Sequence, residues 1–452
     1  MKNKIVRNCI LCLLCFFEVT VFAQDHTPTQ DSVVWDLEQC LEYAYQNNIT
    51  LNSLRLSRQS SEQEFLLSKA AVLPDLYGSA SQTLNHYNST NNVDYNNTDN
   101  SNSDFRASGS LALNSAWTLY QGGYLRSDIK QKDLSVQSAN FSILENEENI
   151  SLQITQSYLN ILLDKESIVY AQDLVKTSMA QLEQARQRFS AGAIARKDVA
   201  QLQAQLANDQ YTLTSALNAE RQDKLTLKQI LQLPTEINFD VVKPDSITAL
   251  NSVSSLKEVQ NYALQNRPEV KNSLLGIEIA KLSLDKALAG YKPTLSLGGN
   301  IGTDYITGNR YNTFNQLDRN LSQQLGINLS IPIFTNRLNK TNAALARIAI
   351  DQAQLNLKET TTVLSQTVEQ AYINVQNAQS QYISAEEQLK FASEVYRIAN
   401  EELRLGAADI TDFYLQRNQY VQALQASIQA KYNAALAVKI YQFYIGEPLT
   451  ID

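Results

Sequence analysis

Two stretches of this chain contain neither glycine nor proline: Tyr124 to Ala191 and Thr335 to Leu405. Both are rich in Leu, Ala, Gln, Glu and Lys, which are strong helix formers. A helix of about 70 residues would be roughly 100 Å long at 1.5 Å rise per residue, far longer than an ordinary globular helix. Each run ends at a lone glycine, Gly192 or Gly406, and a second helix-like run returns from it. The spacing predicts two long antiparallel helical hairpins.

The hairpins belong to a duplication. Leu37-Glu38-Gln39-Cys40-Leu41-Glu42-Tyr43-Ala44-Tyr45-Gln46-Asn47 returns as Leu256-Lys257-Glu258-Val259-Gln260-Asn261-Tyr262-Ala263-Leu264-Gln265-Asn266. Pro74 meets Pro293, Leu119-Tyr120 meets Ile333-Phe334, and Gly192 with Asp198 meets Gly406 with Asp412, always in the same order. Internal repetition of this kind signals a symmetric building block. The second long run carries Ala371, Ala378, Ala385, Ala392 and Ala399, with Val375, Tyr382, Leu389, Tyr396 and Leu403 between them. That is a small/large heptad of coiled-coil type. The first copy repeats it as Ser157, Asp164, Ala171, Ser178 and Ala185 with Ile161, Ile168, Val175, Leu182 and Phe189, and Asp164 breaks the pattern. The alternative reading of the heptads is a simple two-helix coiled coil with one buried stripe.

Period-two segments lie between the helices. Phe105, Ala107, Gly109, Leu111, Leu113, Ser115, Trp117 and Leu119 alternate with Arg106, Ser108, Ser110, Ala112, Asn114, Ala116 and Thr118. Leu295, Leu297, Gly299, Ile301, Thr303 and Tyr305 alternate with small or polar residues, as does Leu321 to Ile333. Leu76 to Leu84 is the weakest of the set. Such strands suit a membrane barrel, although a soluble sheet alternates similarly. The aromatics Trp117, Tyr120, Tyr124 and Tyr291 favour a girdle at the membrane interface. Polar loops, Asn85 to Asn102 and Thr307 to Asn320, would join the strand pairs. Membrane barrels begin at about eight strands, and an open sheet edge in lipid is prohibitively costly. If these four strands enter a membrane, several chains must share one barrel.

The first residues read as an export signal: Lys2, Lys4 and Arg7, then an apolar run from Ile10 to Phe17, then Val21-Phe22-Ala23. Its removal takes Cys9, Cys12 and Cys15 and leaves Cys40, so no intrachain disulfide is expected. The net charge of −8 becomes more negative after loss of those basic residues, which argues against a nucleic-acid partner. The chain has only 2 histidines, His26 and His86. It carries no nucleophile–His–acid set, metal-ligand cluster or phosphate-cradling glycine loop. Neither catalysis nor a cofactor or metal is expected.

Taken together, these features resemble the TolC-like outer-membrane efflux protein family, from about Trp35 to Gly446. The resemblance rests on Tyr43-Ala44-Tyr45-Gln46-Asn47-Asn48 and Ala263-Leu264-Gln265-Asn266-Arg267-Pro268-Glu269-Val270. It rests also on Pro74 and Pro293 entering strands, on Leu119-Tyr120-Gln121-Gly122-Gly123 leaving one, and on the Gly…Asp turns. It implies a mainly α fold with a membrane β-barrel: a homotrimeric twelve-stranded barrel in the outer membrane of a diderm bacterium, above an α-helical periplasmic barrel. It implies a passive exit duct that meets a periplasmic adaptor and an inner-membrane pump, and contacts outer-membrane lipid.

The helix tips carry the functional expectations of that resemblance. Gly192, Ala193, Gly406 and Ala407 match the adaptor-docking turns. Asp412 matches an acidic pore ring, whereas Leu415 stands where the family carries a second acid. Lys197 and Asp198 match first-tip positions that link neighbouring hairpins, and Leu403 replaces a tip tyrosine. Local physics offers a second account: glycine caps helix C-termini, Asp409 would be an N-cap, and Asp198 and Asp412 favour helix dipoles. Both accounts can hold together. We divide the chain into a signal peptide (1–23), a flexible leader (24–34) and a first repeat (35–232; strands near 74–84 and 105–120, hairpin 121–232). An equatorial linker (233–254), a second repeat (255–446; strands near 293–305 and 321–334, hairpin 335–446) and a tail (447–452) follow. The competing reading is a soluble periplasmic coiled-coil scaffold, which accounts for the heptads but not for the paired strands.

Overall fold

The computed structural model describes residues 33–86, 105–244, 247, 249–250, 253–307, 311–407 and 410–450. The signal peptide, most of the leader, most of the loop from Asn85 to Asn102, and Asp409 lie outside the described residues. Two copies of one plan follow each other. A short helix, α1 (Leu37–Asn47), leads into α2 (Ile49–Ala70), strands β2 (Tyr77–His86) and β3 (Phe105–Gln121), and the hairpin α3 (Tyr124–Ser190) and α4 (Arg196–Leu231). The second copy runs α5 (Leu256–Asn266), α6 (Pro268–Ala289), β5 (Thr294–Ile306), α7 (Thr313–Arg319), β6 (Ser322–Ser330), α8 (Leu338–Leu405) and α9 (Ile410–Ile445). Equivalent helices match in length: 11 and 11 residues for α1 and α5, and 22 and 22 for α2 and α6. The long pair has 67 and 68 residues, and the returning pair 36 and 36.

The strands form one antiparallel sheet of order β2-β3-β5-β6. Each strand is joined to one helix, and α2, α3, α6 and α8 pack side by side in the same order. Below them the layer continues as α4-α3-α9-α8. Only α3 and α8 run through both halves, so the two glycine- and proline-free rods are the continuous members of the wall.

Where strands become rods, both repeats make the same turn with different chemistry. Gly122 and Gly123 have φ of +62° and +94°, and a Cβ on Gly122 would lie 2.7 Å from Ala289 O. The equivalent Asn336 and Arg337 also adopt positive φ, 45° and 69°. Glycine adopts this conformation without a steric penalty, and asparagine tolerates it. In the second copy Asn339 Nδ2, one turn on, donates to Gly290 O at 2.5 Å and holds the turn against the end of α6.

Three sequence expectations change. Val33 and Val34 are not part of a flexible leader, because β1 (Val33–Trp35) pairs in parallel with β4 (Phe239–Val241). That pairing also puts a strand in the linker, where Phe239 and Val241 are buried. Strand β6 ends at Ser330 rather than near residue 334, because Pro332 has no N–H to give the ladder. The polar loop from Thr307 to Asn320 holds a helix, α7, started by Asn312, whose side chain accepts from Asn315 N.

A girdle at the middle closes the core. Leu37, Cys40 and Ala44 of α1 and Phe239 and Val241 of β4 pack on Ile154, Tyr158 and Ile161 of α3. Val259 and Ala263 of α5 pack likewise on Val368, Ala371 and Val375 of α8. Arg267 joins the two halves: it pairs with Glu148 of α3 at 2.9 Å and lies over the Phe443 ring at 4.5 Å.

Asp164, the break in the heptad, has a partner. Burial, then the nearby Asp223 carboxylate and its hydrogen bond, then Glu220, raise its pKa to about 7. Beside this group, Lys224 is bound to Glu220 and Asp240, and Lys165 to Asp240. A carboxyl whose folded pKa lies above its unfolded value stabilises the fold below the unfolded pKa and loses that contribution as pH rises through the folded one. Asp164 therefore contributes stability that disappears between about pH 4 and pH 7. Asp164→Asn should flatten the fall in melting temperature across this range, measured by circular dichroism at a series of pH values. An unchanged slope would contradict the raised pKa of Asp164.

Candidate functional site at the helix tips

Both hairpins turn by the same device. At the first tip Gly192 has φ +75°, Gly192 N donates to Phe189 O at 2.9 Å, and Ala193 N donates to Arg188 O at 2.8 Å. At the second, Gly406 has φ +76°, Gly406 N donates to Leu403 O at 3.2 Å, and Ala407 N donates to Glu402 O at 2.8 Å. The left-handed residue satisfies the last carbonyls of the rod and reverses the chain. Gly192, Ala193, Gly406 and Ala407 are all exposed, so the turns form the free end of the wall.

The acids are placed differently. Asp198 sits in the first turn of α4, where its Oδ2 accepts from Ala195 N at 3.2 Å. Asp412 occupies the matching turn of α9 and is exposed, as is Leu415 three residues on. Three positions along a helix is nearly one turn, so the two share a face. Lys197 is exposed. Leu403 turns inward instead, against the cluster of Leu182, Leu202, Phe413 and Tyr414.

Between the tips lies a cleft of about 320 Å³. Its walls bring together Ala193, Asp198, Leu403 and Gly406, residues that the sequence pattern singled out separately, with Arg188 and Asn400. Arg188 Nη1 bridges the hairpins by donating to Leu403 O at 3.5 Å. The cleft has mixed walls: apolar at Ile194, Leu202 and Ile410, polar at Gln181, Gln184 and Arg404.

Above the cleft sits a feature that the sequence reading passed over. Arg417 of α9 and Asp209 of α4 have side chains only 1% and 5% exposed, paired at 2.6 Å. Ser178 of α3 donates to the same carboxylate oxygen and accepts from Arg417 Nη2 at 2.9 Å. Gln205 Nε2 donates to the other oxygen at 3.0 Å. One buried charge pair thus fastens three helices from both hairpins. A signal was present: Arg417 interrupts the apolar stripe Phe413–Tyr420–Leu424, and Asp209 interrupts the stripe of Leu202 and Leu206. A lone charge of each sign on two buried stripes marks an internal pair.

The chain is similar to known proteins along nearly its whole length. The model of a family described as outer membrane efflux protein matches residues 40–232 and 259–446. The chain belongs to the outer membrane efflux protein family. The outer membrane efflux protein BepC of Brucella suis biovar 1 is 21% identical over 412 residues, 89% of this chain and 83% of that protein. The outer membrane protein TolC of Salmonella enteritidis is 24% identical over 408 residues, covering 88% of this chain and 79% of its own length. The proteases secretion protein PrtF of Dickeya chrysanthemi is 20% identical over 411 residues, 86% and 84% of the two chains. Among solved structures, CusC superposes with a TM-score of 0.77 at 16% identity, covering 91% of this chain and 93% of CusC. The CmeC outer membrane channel of Campylobacter jejuni gives 0.75 at 19%, covering 92% and 87%. The expected fold class, α-helical barrel plus β-barrel, is borne out, as is the outer-membrane location.

For this efflux-family chain, the cross-strand register assigns the sheet faces. Leu111, Leu113 and Trp117 lie opposite Thr303, Ile301 and Leu297, and Leu297 and Leu295 lie opposite Ile327 and Leu329. The other face carries Ser79, Ser110, Asn114, Asn300 and Gln324, with Ser81 bonded to Ser110 and Asn300 to Asn114. One face suits lipid and the other a water-filled lumen. Trp117, Tyr120 and Tyr291 are exposed near the helix end of the sheet, and Trp117 Nε1 donates to Val72 O at 2.8 Å. Tyr124 is half-buried beneath Lys286. Among the described residues no helix is long and apolar enough to cross a membrane, and no cluster of three or more His, Cys, Asp or Glu could hold a metal ion.

The charge pair makes a clear prediction. Arg417→Met leaves the Asp209 carboxylate buried and uncompensated, at a cost of about 3–5 kcal/mol. Arg417→Met with Asp209→Leu removes both charges and should regain most of that loss in thermal unfolding followed by circular dichroism. A double variant no more stable than Arg417→Met would contradict the account of an uncompensated buried carboxylate.

Proposed function

We propose that this chain is one stave of a trimeric exit duct that passively carries substrates from an inner-membrane pump, across the periplasm, to the cell exterior. The observation that carries this reading is the open sheet. Its strands alternate in direction from β2 to β6, so the two edges run oppositely. A second copy whose β2 meets this β6 continues the antiparallel ladder. Repetition around an axis abolishes every edge, which lipid requires. Three copies make the twelve strands that the family resemblance implies. The helical layers, ordered like the strands, extend the same ring as a tunnel.

At the tunnel's end we assign the cleft and turns to docking of a periplasmic adaptor, through Gly192, Ala193, Gly406 and Ala407. The pump beyond it belongs to a tripartite efflux or type I secretion system. Asp412 and Leu415 are assigned to the constriction. Repetition about the axis places one carboxylate per copy at one level, where the acids attract cations, followed by a ring of leucines. Leu403 offers no hydroxyl for a latch between hairpins, and the buried Arg417–Asp209 pair holds the hairpins together instead. The work of such a duct is binding and passage, not catalysis.

Fractionation tests the assembly. The chain should appear in the outer membrane as a heat-modifiable trimer, whereas a soluble monomer would restore the scaffold reading. Single-channel recording tests the constriction: Asp412→Ala should raise conductance or weaken block by divalent cations. Unchanged conductance and block would remove Asp412 from the gate.

A further inference from the structure

Helix α7 is the one element with no counterpart in the first repeat among the described residues. It lies at the end of the sheet remote from the long helices, in the connection between β5 and β6. Its attachment is specific. The Gln316 side chain is buried and behaves as an extra strand residue: Oε1 accepts from Ile306 N at 3.0 Å and Nε2 donates to Ile306 O at 3.0 Å. It completes the ladder of β5 beyond the last β6 partner, Ser322 opposite Gly302.

A second bond fixes the side of the sheet. Thr303 Oγ1 donates to Leu317 O at 2.6 Å. Thr303 belongs to the apolar row, because it lies opposite Leu111, which shares its face with Leu113, Ile301 and Leu297. The helix therefore leans over the lipid-facing side and not over the lumen. Phe314 of this helix is 82% exposed, and on the apolar side Leu321 stands exposed beside Leu111, Leu113 and Ile301 around a shallow depression. The Arg319 guanidinium lies 4.3 Å from the Tyr311 ring centre, which leaves a cation at the same level. An exposed aromatic, a tyrosine and an arginine at the rim of an apolar band suit the headgroup boundary of a bilayer.

We propose that α7 is a membrane-interface anchor, with Phe314 inserted into the outer leaflet beside the barrel and Arg319 at the level of its phosphates. The inference rests on the duct reading, which places the long helices in the periplasm and the opposite rim outward. The occupant follows from continuity: the helix prolongs the lipid-facing surface at its upper border.

Nitroxide labels on single cysteines in the exported chain, reconstituted as assembled protein in phospholipid bilayers, test this. Cys40 is buried and its thiol is pushed up to about 12, so it does not compete for the label. Ile327→Cys reports the middle of the apolar face and Leu405→Cys the aqueous helix tip. A label at Phe314→Cys should collide with oxygen more often than with a water-soluble nickel chelate, giving a depth between those two positions. A Phe314 label as accessible to nickel as Leu405, with Ile327 lipid-exposed, overturns the anchor and leaves the barrel intact. A Phe314 label reached by neither collider means packing against protein, and also overturns it. An Ile327 label exposed to nickel overturns the membrane placement itself.

Discussion

The backbone groups along the outer edges of β2 and β6 are the constraint on which the rest depends. A ladder edge in lipid leaves donors and acceptors that no water can satisfy. Aqueous proteins blunt such edges with charge, proline or a covering element. Among the described residues the cover lies beyond the end of β6, where Gln316 completes the ladder of β5. Along the paired length both edges stay available, and β2 is exposed throughout nearly its whole length. The opposite directions of the edges make them complementary to each other rather than to themselves. In the proposed duct such a chain is the repeating unit of a ring, and symmetry supplies what a single chain lacks.

The helical half obeys the same order by a different interaction. Helices satisfy their own backbones, so their side-by-side arrangement is set by packing. Small residues such as Ala371, Ala385 and Ala399 are buried at the seams and let neighbouring rods approach. Larger ones such as Val375 and Leu182 fill the space between them. Polar fastenings punctuate the wall, among them Lys286 with Asp128 nearer the sheet, Arg267 with Glu148 at the girdle, Lys431 with Glu166, and Arg417 with Asp209 near the tips. Each lies between helices from different parts of the chain, so each selects one register among sliding alternatives that apolar packing alone would tolerate.

Much of this was legible in the residues. Absence of glycine and proline gave the rods, period-two alternation gave the strands and their faces, and paired glycines gave the tips. These signals are local and periodic, so the sequence states them directly. What escaped depends on contacts between distant segments. Arg417 and Asp209 meet only after two hairpins dock. Val33 becomes a strand only because Phe239 lies beside it. Helix α7 hid in a segment read as a loop because asparagines usually mark loops, whereas Asn312 caps the helix and Gln316 mimics backbone. At the tips, the heptad pointed Leu403 inward, where it packs, but nothing periodic told that Leu415 faces out.

The asymmetry of the two edges has a genetic consequence. In the proposed trimer each subunit makes one joint with β2 and a different one with β6, so a chain damaged at either edge still offers its sound edge to a normal partner. Such a chain would enter mixed rings and leave one joint unsealed in each. With random mixing of three subunits, a minority of altered chains would spoil a larger share of the assembled rings. Edge variants should therefore behave as dominant alleles, while variants confined to the core of one stave, which simply fail to fold, should behave as recessive ones.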